Sequence, residues 1–260
     1  MTPSGIKRLL GENKLVRVFS TGQLMGPKLV EMVALGGGFD AFWLDHEHSG
    51  VTLEAVAQTV RAVRAAGLDS FVRMAATDYA SVMRFLEVGA GGIMAAHVRS
   101  AEEAERVVGF VKFPPRGRRG LNGSNRDGDF GRIPHPEYVE MCNRETFVAI
   151  QIENAEGLAD VEAIARVPDV DLLFIGPADL SSSLGIVGQY DHPKLRAAID
   201  RIIAAADAAG VAWGIVPIGR EYTRELVRRG CRMLELGSDI GTIWRGLEAF
   251  RDGMAELLPA

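Results

Sequence analysis

Cysteine is nearly absent from this 260-residue chain. Only Cys142 and Cys231 occur, too few and too far apart for a disulfide framework or a CxxC motif. Lysine is scarce as well, with positions 7, 14, 28, 112 and 194 the only lysines among 29 basic residues. No window approaches the roughly eighteen uninterrupted apolar residues of a membrane span, and MTPSGIKRLL at the start lacks the apolar core of a secretory signal. A cytoplasmic protein without a membrane partner is expected. The net charge of −5 and pI near 5.6 give no electrostatic reason to expect nucleic acid. A small molecule is the expected partner.

What is present is a composition able to build a large core: 47% hydrophobic and 24% charged, with a mean hydropathy of +0.08. Short β-type runs alternate with longer amphipathic ones from end to end. Strands are expected at 15–21, 41–47, 70–74, 92–98, 147–153, 171–177, 212–217 and 232–237. Between them lie helical patterns such as TLEAVAQTVRAVRAAG, closed by a glycine, and SAEEAERVVGFV, where Ser100 and Glu103 read as a capping box. Strand-then-helix units in one domain over 1–260 predict the α/β class and a (β/α)₈ TIM barrel. The alternative is an open doubly wound sheet, but no strand runs into a GxGxxG turn. The alternation breaks once, at 113–135 (FPPRGRRGLNGSNRDGDFGRIPH). Arg116, Arg118, Arg119, Arg126 and Arg132 there suit an acidic substrate, a subunit interface or plain solvation.

In such a barrel the active site lies at the C-terminal rim of the strands. His48 follows the second expected strand and Arg73 lies 25 residues on; Glu153 ends the fifth and Asp179 lies 26 residues on. One βα unit has about that length, so all four should share one mouth. Two carboxylates from neighbouring strand ends suit a hard cation such as Mg²⁺ or Mn²⁺. Helix capping by Asp179, or by Ser181 to Ser183, fits the same pattern, as do Arg73 in an ordinary ion pair and His48 in the core. Ser238 or Asp239 in LGSDIG reads as a helix cap or as part of a phosphate-binding turn. His97, His135 and His192 show no metal-ligand spacing and read as loop or packing residues. A cation beside a histidine and an arginine suits chemistry next to a carbonyl. The rival Schiff-base route needs a barrel lysine; no expected strand has one, though Lys14 and Lys112 lie near strand borders.

FDAFWLDHEHSG (39–50), GAGGIMAAHVRSAEEAERVV (89–108), PPRGRRG (114–120) and VAIQIENAEGLADVEAIARVPDVDLLFIGPADLSSSLG (148–185) together resemble the HpcH/HpaI family of metal-dependent, class II pyruvate aldolases, over about 15–240. The resemblance implies a TIM barrel of the phosphoenolpyruvate/pyruvate-utilising type that binds Mg²⁺, Mn²⁺ or Co²⁺ through Glu153 and Asp179. It places Gln151 and the backbone around Ala178 beside the pyruvyl group, with Arg73 stabilising the enolate. His48 is implied as the base, acting through a water, with Glu87 as its carboxylate partner. Within DHEH, Asp45 is expected to be structural at the strand end and Glu47 to orient metal-bound water or the pocket. The implied reaction is reversible cleavage of 4-hydroxy-2-oxo acids to pyruvate, or a close 2-oxo acid, and an aldehyde. The implied assembly is a homohexamer in which the last helix, about 241–257, is exchanged between neighbours. Three positions depart from the family pattern: Glu87 for Asp; His97 in AAHV for VPMV, which by the resemblance puts a histidine at the end of the fourth strand near the substrate; and the loop LNGSNRDGDFG, which leaves the aldehyde side undefined. The alternatives are a C–C lyase acting on a malyl- or citramalyl-CoA thioester, and a non-catalytic barrel that binds an oxo acid.

Overall fold

The computed structural model describes residues 5–255. Strands β1 (Val16–Thr21), β2 (Ala41–Asp45), β3 (Asp69–Met74), β4 (Gly92–Ala95), β5 (Phe147–Ile152), β6 (Leu172–Ile175), β7 (Ala212–Ile215) and β8 (Met233–Ser238) close into one parallel barrel in sequence order. The helices are α1 (Gly5–Gly11), α2 (Pro27–Gly36), α3 (Leu53–Ala65), α4 (Tyr79–Glu87), α5 (Ala101–Val111), α6 (His135–Glu145), α7 (Ala155–Ala159), α8 (Val161–Ile164), α9 (Pro177–Ser183), α10 (Pro193–Ala209), α11 (Arg220–Arg228) and α12 (Asp239–Met254). The (β/α)₈ expectation is met, and the doubly wound alternative is excluded by closure.

Strand alternation sorts the side chains. Val18, Trp43, Phe71, Met94, Phe174 and Met233 fill the barrel interior, while Phe42, Leu44, Val72, Ile93, Ile150 and Leu173 pack outward against the helices. Short polar side chains start the helices. Thr52, Asp78, Ser100, Asn154 and Ser238 each accept a hydrogen bond from a backbone N–H in the first turn that follows. The box at α5 is half formed: Glu103 accepts from the Arg99 N–H at 2.9 Å rather than from that of Ser100.

Strands two, four, six and seven end two or three residues earlier than expected, at Asp45, Ala95, Ile175 and Ile215. Residues 46–48, 96–98 and 176–177 have therefore left the sheet at the mouth. His97 takes a left-handed backbone, φ 57°.

The segment 113–135 is anchored internally. Arg119 and Asp127 form a buried ion pair at 2.5 Å, and the Tyr138 hydroxyl donates to the same carboxylate at 2.6 Å. Arg116 pairs with Asp169, Arg126 pairs with Asp129, and Arg118 stacks on Phe110. Helix α12 instead shows apolar side chains to solvent: Trp244 is 62% exposed and Phe250 76%. The last positions of the expected exchanged helix, 256–257, lie outside the described residues. Among the described residues no helix is long and apolar enough to cross a membrane. Both cysteines are free and buried, and burial pushes their thiols up, to about 11 for Cys142 and about 12 for Cys231.

Candidate active site

The inward-facing residues change character at the top of the barrel. Val18 gives way to Ser20, Trp43 to Asp45, Phe71 to Arg73, Ala149 to Gln151 and Met233 to Glu235, each two residues further along its strand. These five polar residues and Trp43 line a cavity of about 520 Å³ at the C-terminal mouth, with His48, Ala178 and Asp179 on its rim. Gly176 belongs to the same layer. A Cβ there would lie 2.8 Å from Gln151 Nε2 and 3.0 Å from Glu153 Oε2, so only glycine leaves those groups room.

Arg73 is held on two sides. Its Nε and Nη2 donate to the two Asp45 oxygens at 2.9 and 2.8 Å, and Nη1 reaches Glu47 at 2.5 Å. The guanidinium lies 5.1 Å from the centre of the Trp43 ring. Asp45 is thus more than a strand-end residue, because it fixes the arginine in the cavity. His97 Nε2 is 3.0 Å from the other Glu47 oxygen, and the His97 backbone N–H donates to Glu153 at 2.8 Å. One ligand atom from each of Glu47, His97 and Glu153 lies within 4.8 Å of the others. His97 does lie in the loop after β4, but that loop turns it toward Glu47 and Glu153 rather than into packing. His192 caps α10 through Nδ1, and His135 begins α6 in solvent.

Glu153 is 1% exposed, and the Gln151 amide donates to it at 2.5 Å. Burial above all, reinforced by the charges of Glu47 and Asp179, pushes its carboxyl above the usual range against the lowering effect of the His97 N–H. Gln151 Oε1 is buried with no hydrogen-bond partner among the described residues. Crowded carboxylates and an unmet acceptor form a donor set that a divalent cation would satisfy. Asp179 joins this wall from the first turn of α9, where Pro177 follows Gly176 at the N-cap; Asp179 makes no capping bond.

His48 is exposed at the rim, 3.8 Å from Glu47. Its expected partner Glu87 lies in the last turn of α4, where burial and then the charge of Asp127 raise its carboxyl, with Arg119 opposing. Among the described residues no hydrogen bond or ion pair joins Glu87 to His48, so the two are not brought together within one chain. Ser238 caps α12, and Asp239 Oδ2 accepts from Thr21, Gly22, Gln23 and Leu24 at 2.8–3.0 Å. A buried carboxylate there makes the turn an anchor for the β1–α2 loop and a poor phosphate site. None of the five loop arginines lines the cavity, which leaves the acidic-substrate reading of that loop without support. Lys14 pairs with Glu12, and Lys112 is fully buried below the barrel against the carbonyls of Asn143 and Thr146.

The sequence profile described as HpcH/HpaI aldolase/citrate lyase matches residues 18–245. The chain belongs to that family. As a member of the HpcH/HpaI family it is an enzyme, a carbon–carbon lyase of the aldolase kind. It is 35% identical to a pyruvate aldolase of Rhizobium etli over 87% of this chain and 88% of that protein. It is 37% identical to a hydroxypyruvate/pyruvate aldolase of Paraburkholderia phytofirmans over 85% of each. Among solved structures, an HpcH/HpaI aldolase from Desulfitobacterium hafniense superposes with a TM-score of 0.89 at 32% identity, over 98% of both chains.

Proposed function

We propose that this HpcH/HpaI protein is a divalent-metal-dependent aldolase that reversibly cleaves 4-hydroxy-2-oxo acids to pyruvate, or a close 2-oxo acid, and an aldehyde. The observation that carries the reading is Arg73, fixed by Asp45 in a cavity that Gln151 and Asp179 also line, with buried Glu153 held just behind by the Gln151 amide. Glu153 and Asp179 would hold the cation, with Glu47 and His97 beside it. Mg²⁺, Mn²⁺ and Co²⁺ all suit such a set, and when bound the ion polarises the 2-oxo group as a Lewis acid.

This chain's own residues account for the remaining chemistry. The Arg73 donors left over from Asp45 and Glu47 face the oxygen on which negative charge develops. His48, at the open rim, takes the proton of the C4 hydroxyl. The C3–C4 bond then breaks, its electron pair passes into the enolate, the aldehyde departs through the mouth, and a proton delivered to C3 gives pyruvate. Gln151 and the backbone at Ala178 orient the carboxylate end. Glu87 has no part in this relay within one chain, since no contact links it to His48. The apolar face of α12 supports a homo-oligomer in which the last helix packs on a neighbouring copy.

Pyruvate release from 4-hydroxy-2-oxo acids tests the reading. EDTA should abolish it and Mn²⁺ or Mg²⁺ should restore it, while borohydride added with pyruvate leaves every lysine unlabelled. Release that survives chelation, or a trapped lysine adduct, overturns the proposal.

A further inference from the structure

One carboxyl group in the cavity has no place in the chemistry above. Glu235 lies on β8, with Asp45, Arg73 and Gln151 on the same inward-facing layer. Its Oε1 accepts from Ser20 Oγ on β1 at 2.6 Å, and its Oε2 has no hydrogen-bond partner among the described residues. A register shift puts it there. Val18 pairs with Glu235 and Phe19 with Gly237, so Leu236 is an extra residue in the ladder and turns outward, 44% exposed. The bulge lets Glu235 and Ser238, three residues apart, both line the cavity, which strict alternation forbids. Gly237 completes the arrangement, since a Cβ there would stand 3.2 Å from the Phe19 ring.

Resting on the aldolase reading, we propose that Glu235, braced by Ser20, is a specificity-determining residue that accepts a hydrogen bond from a substrate hydroxyl. Oxo acids and aldehydes bring no other donor to an unpaired carboxyl oxygen. Burial raises the Glu235 carboxyl above its usual range, and with Oε1 engaged by Ser20 it is Oε2 that is left for a substrate hydroxyl. A carboxylated aldehyde would meet the Glu235 carboxyl in a cavity whose Arg73 is already gripped by Asp45 and Glu47, while Arg245 acts on Glu235 itself. Neutral hydroxylated substrates are therefore selected. The hydroxyl belongs either to the oxo acid, as in hydroxypyruvate, or to the aldehyde, as in glycolaldehyde.

The test compares wild type, Glu235→Ala and the volume-filling Glu235→Leu in the condensation direction. One arm sets glycolaldehyde against acetaldehyde with pyruvate; the other sets hydroxypyruvate against pyruvate with acetaldehyde. The hydroxylated-to-deoxy ratio of kcat/KM should fall about tenfold or more in one arm, and that arm identifies the source of the hydroxyl. Ratios that stay within about threefold of wild type in both arms and both variants overturn the role of Glu235. Metal-dependent exchange of solvent deuterium into the pyruvate methyl group, measured on all three proteins, separates the two failures. A wild type without exchange or condensation overturns the aldolase reading itself; exchange with unmoved ratios overturns only the inference about Glu235.

Discussion

Arg73 and Asp45 meet across adjacent strands in a two-point ion pair, Nε to Oδ1 at 2.9 Å and Nη2 to Oδ2 at 2.8 Å. The strand register makes this possible by setting their Cα atoms opposite each other, with both side chains pointing inward. A planar guanidinium gripped at two points can change neither tilt nor depth without losing a bond.

Asp45→Ala should therefore lower kcat by about 10- to 100-fold through misplacement of Arg73. Arg73→Lys, which has no fork to grip, should cost about 100-fold or more. Steady-state kinetics on the best oxo-acid substrate would check both. A kcat for Asp45→Ala within about twofold of wild type would show that Glu47 and Trp43 hold the arginine unaided.

Lys112 predicts a pH dependence of stability. Burial first, then repulsion from Lys7, lowers its amine to about 7 from an ordinary 10.5. Between those values the unfolded chain carries a proton that the folded chain lacks, so stability rises with pH through the window and the full burial penalty applies below it. Urea unfolding of wild type relative to Lys112→Met should gain roughly 1 kcal/mol per pH unit from pH 7.5 to 9.5. A flat difference across that range would place the titration elsewhere. Inside the barrel mouth such a lowered lysine would be a Schiff-base candidate; beside Thr146, just below β5, it has no access to the cavity.

Trp244 and Phe250 predict an assembly. Trp244→Asp should yield a smaller particle than wild type in sedimentation velocity, because a charge on α12 would have to be desolvated in any helix-mediated contact. A wild type that sediments as a 28.1 kDa monomer would remove the basis for an oligomer.

Much of this protein is legible in its sequence. Apolar runs that start every 20 to 55 residues, with helical patterns between them, specify eight strands and a barrel, because burial on both faces demands such runs. The abrupt change from AFWL to DHEH marks where β2 meets the mouth, and His48, Arg73, Glu153 and Asp179 follow from the phase of the βα repeat. The pairing of Arg73 with Asp45 was within reach by the same logic, since both continue the inward faces of Phe71 and Trp43.

Tertiary structure alone decided which rim residues meet. Glu47, His97 and Glu153 come from three different strand ends separated by 50 and 56 residues, and local periodicity carries no information about which side chains converge across a curved rim. The left-handed turn at His97, the end of β4 at Ala95 and the bulge at Leu236 all depend on neighbouring strands. The separation of Glu87 from His48 has the same origin: helix α4 fixes the direction of Glu87, and the packed loop at Arg119 and Asp127 supplies its neighbours. Residue type and phase set the chemistry available at the mouth, and barrel closure selected its partners.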